Sequence, residues 1–363
     1  MKIETIKLRN WRNITSCNLD ISSKVVVLYG ENGAGKTNLL ESIYVLSSLR
    51  SFREHAKNNL IQMGEETAFI EAKIKNAMGS RNMLWSYSSR ARHLSIDNIP
   101  QKKIAGWFSL IRSILFAPEH INIVRGGPEY RRNFIDRARF IANPTYLSVI
   151  QKYLFYIDQK KALLRSKQID RIVLQILNEN IIEYGIKVIL QRKSILEALQ
   201  HPFQNMHEIM TEGKEIVTLR MKGLGEIENE NLRSHFIDKM QKMEEEEIRQ
   251  TKVLVGPHRD DIEILIDGFP SKKFASQGQA RTIVLALKLA ELQAAKERNE
   301  YPLFLLDDLS SELDRVRTNR LMSILSDFNN QIWLTTTDPN HLGPIPKNTL
   351  QKIRISEGTC YPS

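Results

Sequence analysis

Eight consecutive residues, Gly30-Glu31-Asn32-Gly33-Ala34-Gly35-Lys36-Thr37, carry the glycine, lysine and threonine spacing of a phosphate-binding loop. The glycines let backbone N–H groups point inward at a β-phosphate, and the helix that follows adds the positive end of its dipole. Lys36 is then placed to reach the β- and γ-phosphates, and Thr37 to offer its hydroxyl to Mg²⁺. Such a loop works only at a strand-to-helix turn, and the flanks supply one. Val25-Val26-Val27-Leu28-Tyr29 is apolar and β-branched, as a buried strand is, and residues 38–44 have helical spacing. The stretch implies binding of ATP or GTP.

A second group of residues supplies carboxylates. Leu303-Phe304-Leu305-Leu306-Asp307-Asp308 reads as an apolar strand ending in two acids. Asp307 is placed to hold Mg²⁺ opposite Thr37, and Asp308 to polarise an attacking water as general base. Just upstream, Ser276-Gln277-Gly278-Gln279 opens a helical run, where a serine and free N–H groups make a second anion site. Taken alone it is equally a plain helix cap. Ser311-Glu312-Leu313-Asp314 follows as an acidic turn. Each motif is weak singly, but the order of loop, serine motif, carboxylate strand and acidic turn is specific.

The elements that must position these residues follow from pattern and composition. The 363-residue chain suits one large split domain or two domains, and 42% hydrophobic with 26% charged residues is ordinary for a globular protein. Residues 1–120 read as strands with a helix, and 121–210 as helices. Leu147, Ile150, Leu154, Ile157 and Leu164 share one helical face, and Leu174, Leu177, Ile181, Tyr184, Val188 and Ile195 continue at heptad-like spacing. Gly185 interrupts that series, so the pattern predicts a short helical pair rather than a long coiled coil. Residues 211–250 hold a candidate strand at Ile216-Val217-Thr218-Leu219-Arg220 and an acidic helix. The expected architecture is an α/β head formed by 1–120 and 251–363, with a mainly helical lobe, 121–250, inserted.

Lys and Arg number 52 against 42 Asp and Glu, a net charge of +10 that fits a polyanionic partner or a plain bias toward lysine. Between residues 125 and 171 there are eleven Lys/Arg against four Asp/Glu, so most of the excess sits at the start of the inserted lobe. Arg131, Arg132, Arg137, Arg139, Lys160, Lys161 and Arg165 are the candidates for contacting DNA phosphates, the alternative being a solvated face. No zinc finger or recognition helix is legible, so binding without sequence specificity is expected. Arg12, Arg50 and Arg53 are candidates for adding positive charge at the phosphates, with solvated or DNA-facing roles an equal alternative. His258, beside Arg259, Asp260 and Asp261, fits a turn into the strand 262–266 better than a catalytic cluster. Cys17 and Cys360 are the only cysteines, too few for a disulfide framework or a zinc site. Residues 1–7 break every apolar run with charge, and the run 283–292 is interrupted by Lys288. A cytoplasmic location is the expectation.

With these motifs in order, the chain resembles the ABC-type P-loop ATPase heads of SMC-like proteins, and within them the RecF family. The resemblance spans nearly the whole chain. Its discriminating blocks are Gly127-Pro128-Glu129-Tyr130-Arg131-Arg132-Asn133-Phe134-Ile135-Asp136, Gly256-Pro257-His258-Arg259-Asp260-Asp261 and Phe274-Ala275-Ser276-Gln277-Gly278-Gln279-Ala280-Arg281. It implies an ATP-gated homodimer in which each phosphate loop faces Ser276 of the other chain, with slow ATPase activity as the switch. It further implies binding of single- and double-stranded DNA at gap junctions, help to RecO and RecR in loading RecA, and a part in DNA replication, recombinational repair and the SOS response. Gln277 stands where transporter signatures carry glycine and Asp308 where they carry glutamate. Thr335-Thr336-Thr337-Asp338 occupies the place of the switch histidine, and Ala117-Pro118-Glu119 that of the glutamine loop. Alternatives are an SMC-type DNA tether, for which about 130 residues between the head's halves are too few, another ABC-type ATPase such as a transporter subunit, and a metabolic kinase.

Overall fold

The computed structural model describes residues 1–53, 57–77, 79–89, 91–102, 104–342 and 345–362. The chain divides into two compact units, one of residues 1–120 with 284–363, the other of residues 121–283.

The first unit contains two six-stranded sheets. The antiparallel one runs Ile14–Asp20, Lys2–Trp11, Thr67–Asn76, Gly79–Ser88, Arg92–Ile96, Ile99–Pro100. Its strands alternate buried and exposed residues, the signature of a sheet covered on one face. The other runs Thr359–Pro362, Leu350–Ser356, Val25–Tyr29, Ile332–Thr336, Leu303–Leu306, Ser113–Phe116. All but the first of these pair in parallel, and the central ones are buried throughout, which is why they read as unbroken apolar runs. Parallel pairing sends the carboxyl ends of five strands to one edge, where binding sites of open α/β sheets form. The helix Lys36–Ser48 leaves that edge and buries Leu39, Leu40, Ile43 and Leu46.

Cys17 and Cys360 pair as a disulfide, joining strands from opposite ends of the chain with Cα atoms 5.8 Å apart. Two cysteines separated by 343 residues gave no sign of this from spacing.

The second unit is built on the helices Pro128–Ala142, Tyr146–Leu164, Arg171–Thr211 and Leu232–Gln250, with a three-stranded antiparallel sheet of order Phe269–Pro270, Asp261–Ile266, Val217–Lys222. Residues 251–283, expected with the head, cluster with this unit because Asp261–Ile266 pairs along its length with Val217–Lys222. Asp267 and Gly268, both at positive φ, make the tight turn of the hairpin. The helix Arg171–Thr211 has 41 residues and runs unbroken through Gly185. A Cβ there would lie 2.7 Å from the ring of Phe236, so this glycine admits a neighbouring aromatic rather than ending a helix. In Tyr146–Leu164 the buried stripe is Tyr146, Tyr153, Ile157, Lys160 and Leu164, whereas Leu154 is exposed. Among the described residues no helix is long and apolar enough to cross a membrane.

Candidate nucleotide site

Gly30 to Thr37 joins the strand Val25–Tyr29 to the helix Lys36–Ser48. Two of its glycines are required by their surroundings. At Gly30, φ is +150° and a Cβ would lie 2.1 Å from the Ile355 carbonyl oxygen. Gly35 caps the helix at φ +114°, against the side-chain amide of Asn13. Asn13 also donates to the Gly33 carbonyl at 3.3 Å, and the Gly358 N–H donates to the Ala34 carbonyl at 3.0 Å. The loop is thus held from outside by two hairpin turns, neither of which its own sequence announces. Glu31, Asn32 and Gly33 are exposed while Ala34, Gly35 and Lys36 are buried.

The Lys36 ammonium donates to the carbonyls of Gly30 at 2.8 Å and Glu31 at 2.7 Å, closing the loop on itself. Burial lowers its pKa from the ordinary lysine value, while Asp308 and Asp307 oppose the shift. The Thr37 hydroxyl donates to Asp307 Oδ1 at 2.8 Å. Asp307 is 4% exposed, and burial raises its pKa; the hydroxyls of Thr37 and Thr335 oppose that, while the Glu119 and Asp308 carboxylates add to it. Glu119 follows the strand Ser113–Phe116, which pairs beside Leu303–Leu306, and this places its carboxylate near enough to Asp307 to act on it.

Asp308 sits in the left-handed region at φ 51°, a costly conformation for a non-glycine residue that is held here by three contacts. Its N–H donates to Thr335 Oγ1 at 2.7 Å, its Oδ2 accepts from the Ser311 hydroxyl at 2.6 Å, and its carbonyl accepts from the same hydroxyl at 3.2 Å. Ser311 therefore orients the second carboxylate. Leu313 is buried, and Asp314 caps the helix Arg315–Ser326 by accepting from the Arg317 N–H at 2.8 Å. Glu312 is half-buried on the short helix Leu309–Glu312. Thr335 is the residue that sequence reasoning missed. Its hydroxyl donates to Asp307 Oδ1 at 2.8 Å while accepting from the Asp308 N–H, so one side chain aligns both acids.

In the second unit Ser276 accepts the Gln279 N–H at 3.2 Å and Gln277 is exposed beside half-buried Gly278, at the start of the helix Gln277–Glu297. The basic candidates divide. Arg131 is 6% exposed, forms a bidentate pair with Asp261 at 2.8 and 2.9 Å, and donates to the Gly126 carbonyl. Lys160 is 1% exposed and pairs with fully buried Glu247 at 2.6 Å. Both are corrections: a side chain consumed in a buried ion pair is withdrawn from any DNA surface. Arg132 donates to the Asp260 carbonyl at 2.7 Å and Arg139 to Gln191. Arg137 and Lys161 are half-buried, and Arg165 is exposed. Arg12 is likewise engaged, donating to both oxygens of buried Glu41 at 2.9 and 2.7 Å and to the Asn59 carbonyl. Arg53 donates to Asn38 Oδ1 at 3.0 Å, and Arg50 is exposed. His258 sits between the Tyr153 hydroxyl at 2.6 Å and the Val253 carbonyl at 3.1 Å. Burial lowers its pKa to about 4, the pattern of a neutral structural histidine. Asp260, 4% exposed, accepts the Leu224 N–H at 2.9 Å, so the 256–261 block ties this unit together.

The family described as RecF/RecN/SMC N terminal domain matches residues 2–102. The "DNA replication and repair protein RecF" of Streptococcus agalactiae is 32% identical over 99% of this chain and 97% of its own length. That of Staphylococcus epidermidis is 33% identical over 99% of both. Two solved structures of "the recombination mediator protein RecF" in the "RecFOR pathway" superpose closely. The one described as RecF-ATP has a TM-score of 0.90 at 28% identity, covering 99% and 97% of the two chains. The one described as RecF-ATPrS has 0.89 at 26%, covering 99% and 98%. An Smc head bound to the C-winged helix domain of ScpA shares the fold at a TM-score of 0.61 and 13% identity. An α/β, SMC-like ABC ATPase head with these relatives along its full length belongs to the RecF family.

Proposed function

We propose that this chain is an ATP-dependent DNA-binding protein of DNA replication and repair, in which ATP closes two copies into a dimer and slow hydrolysis reopens it. The observation that carries the reading is the Thr37–Asp307 contact of 2.8 Å, which joins the phosphate loop to the carboxylate strand at one sheet edge. Two hard oxygen donors so placed fit Mg²⁺, which when bound supplies charge neutralisation at the phosphates. Lys36 would exchange the carbonyls of Gly30 and Glu31 for phosphate oxygens, trading neutral acceptors for anionic ones. Asp308, held by Ser311, is the group placed to accept the proton of an attacking water. Ser276 to Gln279 would meet the nucleotide of the partner copy.

DNA would be met through phosphates, without sequence specificity. With Arg131 and Lys160 buried, the surface reduces to Arg165, with Arg132, Arg137, Arg139 and Lys161 in part, and to exposed Lys152 and Lys167. In this reading the chain acts at single-strand gaps in the cytoplasm, with RecO and RecR and through them RecA, and membership of the RecF family supports it. Size-exclusion and DNA mobility shifts with and without ATP and Mg²⁺ test the reading. A dimer and a DNA complex that both require ATP support it, and a monomer indifferent to ATP overturns it.

A further inference from the structure

Glu215 lies on the segment between the helix Arg171–Thr211 and the strand Val217–Lys222. Its Oε1 accepts from Gln279 Nε2 at 2.8 Å. The other end of the same Gln279 amide, Oε1, accepts the Ser276 N–H at 2.7 Å, while the Gln279 N–H donates to Ser276 Oγ at 3.2 Å. Ser276 and Gln279 therefore form a reciprocal capping box at the start of the helix Gln277–Glu297. An amide has two different ends, and a carboxylate only accepts. Glu215 thus dictates that nitrogen faces it, which turns the amide oxygen toward the Ser276 N–H.

The second carboxylate oxygen of Glu215 lies 3.5 Å from Nε2 of His207, whose side chain is fully buried near the end of Arg171–Thr211 with its ring edge against Phe203. The Glu215 side chain is 19% exposed, with this oxygen turned inward toward His207 without a hydrogen bond and the other one held by the Gln279 amide. The cap consumes a lone pair of the Ser276 hydroxyl and leaves its proton available to an anion.

We propose that Glu215 is a positioning residue of the Ser276–Gln279 loop, acting through the orientation of the Gln279 amide to hold the Ser276 N–H and hydroxyl ready for the nucleotide of a second copy. This rests on the composite-site reading above.

The test compares Glu215→Ala and Glu215→Gln in the full chain. A fluorescent ATP analogue reports nucleotide binding by the monomer, and light scattering reports ATP-driven dimerisation. Glu215→Ala is expected to bind the analogue as the parent does, while dimerisation requires about tenfold more protein, because the Ser276 motif is loosened at both sites of the dimer. Glu215→Gln, which still offers an acceptor, restores dimerisation. Mixing Glu215→Ala with Lys36→Arg recovers part of the dimer, because one of the two sites then combines an intact loop with an intact Ser276 motif. Dimerisation of Glu215→Ala at the parent concentration, or an equal loss of analogue binding by the monomer, overturns the proposal. Ser276→Arg separates the two levels. If it blocks dimerisation while Glu215→Ala does not, only the role of Glu215 fails; if it dimerises normally, the composite site fails and takes this proposal with it.

Discussion

The Thr37 hydroxyl donates to Asp307 Oδ1 at 2.8 Å across 270 residues of sequence, and Asp307 holds that hydroxyl from a position 4% exposed. The loop and the carboxylate strand therefore meet directly through this hydrogen bond. In Asp307→Asn the amide oxygen still accepts from Thr37 and Thr335, so the fold stays, but the charge that faces a divalent ion is gone. Nucleotide affinity should lose its dependence on Mg²⁺ and fall about tenfold or more. Asp308→Asn should instead keep nucleotide affinity and slow single-turnover hydrolysis by about a hundredfold or more, since an amide does not take a proton from water. Equal hydrolysis by Asp308→Asn and the parent places the base elsewhere.

Thr335 aligns both acids, so removing its hydroxyl is expected to act on both. Thr335→Val keeps the volume but leaves the Asp308 N–H unpaired and deprives Asp307 of a donor. The cost in stability should be about 1–3 kcal/mol for the orphaned group, with hydrolysis falling further than nucleotide affinity. Thr335→Ser should recover both, measured by urea unfolding and single-turnover rates on one preparation. Recovery of stability without recovery of rate would show that the hydroxyl serves the fold alone.

What was legible in the sequence was whatever is local in the chain. The phosphate loop, the apolar strand ending in Asp307 and Asp308, and the Asp267–Gly268 turn are each one contiguous stretch whose residue types state their geometry. Thr335 carries no signal of its own, because it stands in a run of three threonines and a threonine at a strand end has no distinctive spacing. Arg131 and Lys160 were misjudged because a charge count does not see burial; their partners Asp261 and Glu247 lie far along the chain. Gly185 looks like a break in the sequence because its reason, the ring of Phe236, comes from another helix. The Cys17–Cys360 pair and the hairpins around the loop are likewise tertiary facts.

The Lys160–Glu247 pair sets up a stability test. Glu247 Oε1 also accepts the N–H groups of Leu254 at 2.7 Å and Val255 at 3.2 Å. Glu247→Gln preserves an acceptor for those groups but leaves the Lys160 ammonium buried and unpaired, a loss of about 3–5 kcal/mol. Adding Lys160→Met should return much of it, because no charge is then left inside. Denaturant midpoints at constant slope read the difference. A double variant no more stable than Glu247→Gln rules out the stranded charge as the cause.

His258 gives the chain a pH dependence of definite sign. Burial, ahead of the neighbouring Arg259, Lys161 and Arg132 charges, lowers its pKa from 6.5 to about 4 in the folded chain, against a partial offset from the Val253 carbonyl. Between those values the unfolded chain binds a proton that the folded chain does not, so stability rises with pH across the window. The contribution is complete above pH 6.5 and is lost as pH falls toward 4, with a magnitude of about 2–3 kcal/mol. Buried Asp260 and Asp307, whose pKa values are raised, push the opposite way, so the comparison must cancel them. His258→Gln does this, since an amide can accept from Tyr153 and donate to the Val253 carbonyl without titrating there. The parent should therefore lose more unfolding free energy than His258→Gln between pH 7 and pH 4.5, the two curves converging as the pH falls. Curves that stay parallel through that window would show that the imidazole titrates alike in the folded and unfolded chains, and that the Tyr153–His258–Val253 chain of hydrogen bonds does not hold the ring neutral.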